Sequence, residues 1–213
     1  KKAIAIKPDF ADAHNNLGVL YKDLDNQEAA VKSYKKAIAI KPDFADAHNN
    51  LGISLFQDDQ LDLAAISLKQ AIAIKPDFAD AHNNLGILFD KIDQLDLAII
   101  SLKQAIAIKP DFAEAYLSHG NVLTKLNRKD EALVSYESAI SHNPDLDFLL
   151  GNHLSNKMYL GIWNDLPKHL NDIKNQINNG EIFIAPFALL GLIDNPELQR
   201  KNTEAYASKV YPQ

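Results

Sequence analysis

The chain has 213 residues, no cysteine and a formal net charge of −6, and 46% of its residues are hydrophobic. This composition is ordinary for a folded chain. The acidic balance argues against a nucleic-acid partner, because binding to a phosphate backbone needs clustered Lys and Arg. The absence of cysteine fits a reducing compartment, and no apolar run approaches the roughly 20 residues that cross a bilayer. We therefore expect a cytoplasmic protein with no nucleic-acid or membrane partner.

One stretch, Lys-Pro-Asp-Phe-Ala-Asp-Ala-His-Asn-Asn-Leu-Gly, begins at Lys7, recurs at Lys41 and Lys75, and recurs in drifted form at Lys109. The prolines of these stretches and one further proline are 34 residues apart: Pro8, Pro42, Pro76, Pro110 and Pro144. A strict period of this length predicts stacked helix-turn-helix units instead of a single core. The full units are 11–44, 45–78, 79–112 and 113–146. Residues 1–10 read as the end of an earlier unit, so we expect the sequence to be an excerpt of a longer protein.

Each unit repeats one pattern of side-chain sizes, numbered here from the residue after Phe10 and from the equivalent residue of each later unit. Position 4 is large, position 7 is Leu, position 8 is Gly, positions 20 and 27 are Ala, and position 32 is Pro; His119 is the one departure, at position 7 of the fourth unit. The pattern resembles the tetratricopeptide repeat (TPR) family. The resemblance implies an all-α fold, a right-handed superhelical solenoid of antiparallel helix pairs. It covers an array at 1–146, followed by a helical cap or linker at 147–213.

Local chemistry predicts the helix boundaries. Each proline should end one unit, and the Asp that follows it (Asp9, Asp43, Asp77 or Asp111) should cap the next first helix. The glycine at position 8 should face the alanine at position 20, so that the two helix axes of a unit approach closely. Beyond Pro144 we expect a helix over 147–163, an amphipathic helix opened by Pro167 and ended by Gly180, and an apolar piece at 182–193. Asn195 and Pro196 should begin a last helix.

Candidate binding residues lie at positions 2, 5 and 6 of the first helices, which point to the concave face in TPR arrays. A column of amides one repeat apart could bond the backbone of an extended peptide, since Asn both donates and accepts. The alternative is that these amides bond only within and between their own helices. The predicted peptide-binding residues are Asn16, Asn50, Asn84 and Asn152 in the amide column, Asn15, Asn49 and Asn83 beside it, and the acids Asp12, Asp46 and Asp80.

Other site classes are not favoured by the sequence. His14, His48 and His82 are one unit apart, too far to share a zinc ion bound at roughly 2 Å, and they occupy a packing position. We find no catalytic pair, phosphate loop or nucleophile motif, and we predict no catalytic residue, cofactor or metal for this chain. TPR adaptors that bind the acidic C-terminus of chaperones carry Lys and Arg at positions 2, 5 and 6. This chain has Asp and Asn there, so the sequence does not favour a site of that kind.

The Asn-Asn-Leu-Gly and Pro-Asp-Phe-Ala-Asp-Ala signatures resemble the arrays of SPINDLY-type O-linked N-acetylglucosamine transferases. The separation of Asn152 from Trp163 and the segments 158–163, 186–190, 196–199 and 211–212 resemble the bridge that enters their catalytic domain. Phe187 and Ala188 stand where animal members carry a functional His pair. The resemblance implies an arm that recruits protein substrates, without the domain that transfers sugar from a UDP donor.

Two other functions stay open. The chain could be a stand-alone assembly scaffold that recruits partners through its convex face or forms homo-oligomers. It could also transfer sugar itself, which predicts binding of a UDP-sugar. For the substrate-recruiting arm and for the stand-alone scaffold, the expected partner is a protein or peptide.

Overall fold

The computed structural model describes residues 10–162, 164, 166–180, 189–190 and 193–210. All regular structure in these residues is helical, which confirms the predicted all-α class. The chain divides into two compact units, Lys1–Pro110 and Asp111–Gln213, described here separately. The helices of the first unit are α1 Ala11–Asp23, α2 Gln27–Ile40, α3 Ala45–Gln57, α4 Leu61–Ile74, α5 Ala79–Lys91 and α6 Leu95–Ile108. Those of the second are α7 Ala113–Lys125, α8 Lys129–His142, α9 Leu149–Tyr159, α10 Leu166–Asn179 and α11 Pro196–Val210.

Consecutive helices pack as pairs. In the first unit α1 packs against α2, α3 against α4, and α5 against α6, while α2 contacts α3 and α4 contacts α5. The first helix of each pair also contacts the first helix of the next pair, α1 against α3 and α3 against α5. The first helices therefore form one continuous wall along this unit. Each pair is the helix-turn-helix that the 34-residue period predicts.

The turn inside each helix pair holds a residue in the left-handed backbone region. Asp25, Asp59, Asp93 and Asn127 have φ values of 54°, 56°, 59° and 58°. The next amide bonds back to the helix that has just ended, as from Gln94 N to Phe89 O at 2.8 Å. This left-handed residue with its returning bond is a Schellman-type end, a conformation that glycine adopts at least cost.

Glycine at these left-handed positions should stabilise the chain. We expect Asp59→Gly and Asp93→Gly each to raise the free energy of unfolding by about 0.5–1 kcal/mol, because the side chain no longer opposes a positive φ. The two sites are one repeat apart, so their effects should add. Urea denaturation checks this. The control is Asp96→Gly in the first turn of α6, which should destabilise; a destabilising Asp93→Gly would contradict the argument.

The turn between repeats corrects the predicted helix caps. Phe44, Phe78 and Phe112 occupy the cap position, and no side chain caps these helices. Phe78 N bonds to Lys75 O at 3.1 Å, which places the intervening Pro and Asp in the middle of a β-turn. The Asp residues at 43, 77 and 111 therefore lie one residue too early to cap, and Asp9 lies outside the described residues. The three Phe side chains are buried instead.

The glycine at position 8 does allow a close approach, but its main neighbour differs from the prediction. A Cβ placed on Gly86 would lie 2.6 Å from Leu102 Cγ, at position 24, and 3.3 Å from the carbonyl oxygen of Ala98, at position 20. The equivalent neighbours of Gly18, Gly52 and Gly120 are Tyr34, Leu68 and Tyr136. The space beside each glycine is thus filled by the large residue of the same helix pair.

The second unit ends in helices without the repeat pattern. A buried cluster holds them together: Leu154, Ile173, Ile177, Leu189, Ile193 and Leu198. The predicted helix over 147–163 is shorter, Leu149–Tyr159, and α10 begins at Leu166, one residue before Pro167. Leu198 N bonds to Asn195 Oδ1 at 3.0 Å, which confirms the predicted cap of α11. Trp163, Phe187, Ala188 and residues 211–212 lie outside the described residues.

Candidate peptide-binding surface

The Asn residues at position 5 are buried in the wall of first helices. Asn15 Oδ1 accepts a hydrogen bond from Asn50 Nδ2, and Asn49 Oδ1 accepts one from Asn84 Nδ2, each at 3.0 Å. Asn83 is equally buried, and its Oδ1 has no hydrogen-bond partner in the part of the chain that the structure describes. Two of the three position-5 residues therefore hold the amide of the next repeat. Their burial keeps them away from direct contact with a partner.

The Asn residues at position 6 are more accessible. Asn50 and Asn84 are half-buried and Asn16 is exposed. Because Nδ2 of Asn50 and of Asn84 donates to the preceding repeat, the orientation of each amide is set. Each Oδ1 accepts no hydrogen bond from any described residue. The nitrogen of each amide thus bonds between helices, as the structural alternative expects. The oxygen of each amide is left open to a partner.

The predicted acids lie at the start of the same helices. Asp12, Asp46 and Asp80 are exposed in the first turn of α1, α3 and α5, where a negative charge interacts favourably with the positive end of the helix. None of the three forms an ion pair within the described residues. They add negative charge beside the amide column and are free to rearrange.

The second unit has a different amide contact. Asn152 Nδ2 donates to Asn121 Oδ1 at 2.9 Å, and the Tyr136 hydroxyl donates to the same oxygen at 3.0 Å. Thr124 Oγ1 lies 3.0 Å from that hydroxyl, and burial raises the pKa of Tyr136, so the hydroxyl keeps its proton. Sequence analysis did not identify Asn121 as a partner of Asn152. The signal in the sequence was Leu117. It stands at position 5 of the fourth repeat, where the earlier repeats have Asn, so Asn152 cannot bond to a position-5 amide.

His48 and His82, at position 4 of the second and third repeats, have a structural role. His48 Nε2 donates to Pro42 O and His82 Nε2 to Pro76 O, each at 3.0 Å, which ties the first helix to the turn before it. No group of three or more His, Cys, Asp or Glu side chains that could hold a metal occurs in the described ranges. Among the same residues, no helix is both long and apolar enough to span a bilayer.

Comparison with family models identifies the repeats. Models of tetratricopeptide repeats match residues 1–32, 21–59, 54–93, 79–112 and 113–146. The chain belongs to the tetratricopeptide repeat (TPR) family. The models span the four repeats that the 34-residue period predicts and the residues before them.

Solved TPR structures have the same fold. A structure of MamA is 30% identical, with a TM-score of 0.61, over 67% of this chain and 84% of MamA. PilF from Pseudomonas aeruginosa has a TM-score of 0.77 at 19% identity, over 95% of this chain and 92% of PilF. YrrB, described as a TPR protein with an unusual peptide-binding site, has a TM-score of 0.64 at 19% identity over 95% and 96%. At identities near 20% the likeness concerns the fold alone.

Comparison with curated proteins found no match. The matches described above are to TPR modules, and they add no support for a glycosyltransferase parent. That resemblance therefore stays a prediction from the sequence.

Proposed function

We propose that this TPR array is a protein-interaction module that binds an extended polypeptide along its wall of first helices, on the concave face. The observation that carries the proposal is the state of Asn50 and Asn84. Their amide nitrogens are held by Asn15 and Asn49, the two residues are half-buried, and their Oδ1 atoms accept no hydrogen bond from a described residue. An acceptor whose orientation is already set loses little conformational entropy when it binds a donor, which favours affinity.

The spacing of these acceptors suits an extended chain. Neighbouring helices pack at about 8–10 Å, so successive position-6 amides recur at about that interval. A strand rises about 3.3 Å per residue, so one amide can accept a bond from roughly every third residue of the peptide. Contacts with the peptide backbone do not depend on its side chains. We therefore expect broad sequence tolerance.

The charges beside the column indicate which peptides are excluded. Asp12, Asp46 and Asp80 are exposed at the same end of the first helices. Charge complementarity across an interface mainly sets specificity and association rate. We expect neutral or basic peptides to be preferred over acidic ones.

A triple substitution tests the amide column. Displayed peptides of about 12 residues, long enough at 3.3 Å per residue to span three repeats, are selected on the whole chain. The variant Asn16→Ala/Asn50→Ala/Asn84→Ala should bind the selected peptides about 100-fold more weakly, since each lost hydrogen bond is worth about 1 kcal/mol. Fluorescence polarisation measures the affinity and circular dichroism the helix content.

The matched control is Gln70→Ala/Gln104→Ala, which removes two exposed amides from second helices. It should leave peptide affinity unchanged. Equal affinity of the triple variant and the unmodified chain would overturn the peptide-binding role. If instead the triple variant lost its helix content, the structural role of the column would be favoured.

The more specific proposal is that the array recruits substrates for a protein O-linked N-acetylglucosamine transferase. It rests on the resemblance of the repeats and of the segment after residue 146. An α/β nucleotide-sugar domain encoded after Gln213 would support it, and a stop codon there would favour the stand-alone scaffold. Calorimetric titration with UDP-N-acetylglucosamine should give no heat with this chain.

A further inference from the structure

The second helices of the second and third repeats expose aliphatic side chains. Leu63 and Ile66 on α4 are 49% and 63% exposed, and Leu97 and Ile100 on α6 are 44% and 64% exposed. We call these four residues the outer patch. The same two positions hold Ala29 and Lys32 in the first repeat and Glu131 and Val134 in the fourth. The outer patch thus belongs to two successive repeats, and in the repeats before and after them one of the two positions is charged.

The outer patch exposes a substantial apolar area. Four aliphatic side chains, each about half exposed, present on the order of 400 Å², about the size of the largest apolar patch on a typical monomer, which often has a function. The buried residues of the two helices are others, among them Ala64, Leu68, Ala98 and Leu102.

Charged residues at both ends of the outer patch follow a fixed order. On α4, Asp62 lies in the first turn and Lys69 lies two turns later, with Ile66 between them. On α6, Asp96 and Lys103 occupy the same places around Ile100. All four charged side chains are exposed. Each helix therefore presents an acid, then aliphatic side chains, then a base.

We propose that the outer patch binds the outer patch of a second copy of this chain, with α4 of each copy antiparallel to α4 of the other and α6 antiparallel to α6. In this pairing Ile66 meets Ile66 of the second copy, and Ile100 meets Ile100. Asp62 then lies beside Lys69 of the second copy, and Asp96 beside Lys103 of the second copy. A parallel pairing would bring acids against acids and bases against bases. Like charges in contact disfavour an arrangement, so the charge order selects the antiparallel one.

A second copy fits this surface because the surface is complementary to itself. An isologous two-fold interface needs the same patch on both partners, and it closes at two copies without leaving a free patch. α4 and α6 have 14 residues each, or about 21 Å of helix, so the contact is smaller than the roughly 800 Å² per partner of a standard interface. Interfaces below that size are typical of transient contacts, so we expect a reversible dimer with a dissociation constant on the order of 10 μM.

Sedimentation velocity of the whole chain from about 1 to 300 μM, a range around that constant, tests the proposal. The unmodified chain should pass from monomer to dimer, and Ile66→Lys/Ile100→Lys should weaken association at least 100-fold. Val134→Lys is the matched control, because Val134 occupies the same repeat position in the fourth repeat and is 62% exposed. It should leave association unchanged. A chain that stays monomeric throughout, or an unaffected double variant, would overturn the proposal.

A charge exchange tests the antiparallel order. Asp62→Lys/Asp96→Lys makes the patch basic at both ends, and Lys69→Glu/Lys103→Glu makes it acidic at both ends. Each variant alone should dimerise at least 10-fold more weakly, and an equimolar mixture should form the heterodimer with near-native affinity. Lys69 also lies over the Phe89 ring, 5.7 Å from its centroid, so circular dichroism confirms that the acidic variant is folded. Failure of the mixture to associate would exclude this arrangement.

Discussion

Replacing Gly86 by Ala is expected to lower the free energy of unfolding by about 2 kcal/mol, although alanine is the better helix former by about 1 kcal/mol. A Cβ on Gly86 would lie 2.6 Å from Leu102 Cγ, 2.9 Å from its Cδ2 and 3.3 Å from the carbonyl oxygen of Ala98. Leu102 is completely buried, so it cannot give way toward solvent. The helix pair itself has to separate, and this overpacking outweighs the gain in helix propensity.

The sign of the effect should reverse when the neighbour is truncated. Leu102→Ala alone should destabilise by about 3 kcal/mol through the cavity it leaves. In that background Gly86→Ala should stabilise by up to about 1 kcal/mol, because helix propensity is then opposed only by the 3.3 Å approach to the Ala98 carbonyl oxygen. Urea denaturation of the four chains completes the double-mutant cycle. The difference between Gln104→Ala and Gln104→Gly, at an exposed site of α6, calibrates the propensity term.

A stabilising Gly86→Ala in the otherwise unmodified chain would show that the helix pair can separate at little cost. The close packing of the two helices would then not depend on glycine at position 8.

The helix pairs could be predicted from the sequence because two independent signals agree. The 34-residue period fixes the length of a unit, and the small residues at positions 8, 20 and 27 require two helices in contact. The helix starts were predicted less well. Asp43, Asp77 and Asp111 are good capping residues, but the proline before each one places both residues in a β-turn. The cap position then falls to Phe, which is held there by burial of its ring, a tertiary effect that local rules do not contain.

The candidate site could also be predicted from the sequence only in part. Adjacent Asn residues at positions 5 and 6 could be assigned to one face of the first helix from the repeat geometry. Which of the two is buried depends on how the first helices of successive repeats pack against each other. The structure buries Asn15, Asn49 and Asn83, and it uses Asn15 and Asn49 to orient Asn50 and Asn84. The bond of Asn152 to Asn121 was not predicted either, since it forms where Leu117 interrupts the pattern.

Leu88→Ser is expected to lower the free energy of unfolding by about 4 kcal/mol, and Ser54→Ala to raise it by about 1 kcal/mol. Both residues occupy position 10, in repeats that differ at six of their 34 positions, and both are completely buried. Leu88→Ser leaves a cavity and adds a hydroxyl that needs a partner. Ser54 already has such a hydroxyl: its Oγ is buried with no hydrogen-bond partner in the described residues.

The matched control for Ser54 is Ser67, which is buried on α4 but donates to Leu63 O at 3.0 Å. Because its hydroxyl is satisfied, Ser67→Ala should be neutral or destabilise by up to about 1 kcal/mol. The two Ser→Ala substitutions remove the same atom from buried helical sites, so the opposite signs isolate the effect of the missing partner. Equal losses of unfolding free energy at both sites, measured by urea denaturation, would mean that the Ser54 hydroxyl is bonded in solution. The small volume of serine at position 10 would then limit the stability of the second repeat. A larger side chain at that position, and not removal of the hydroxyl, would be the way to a more stable array.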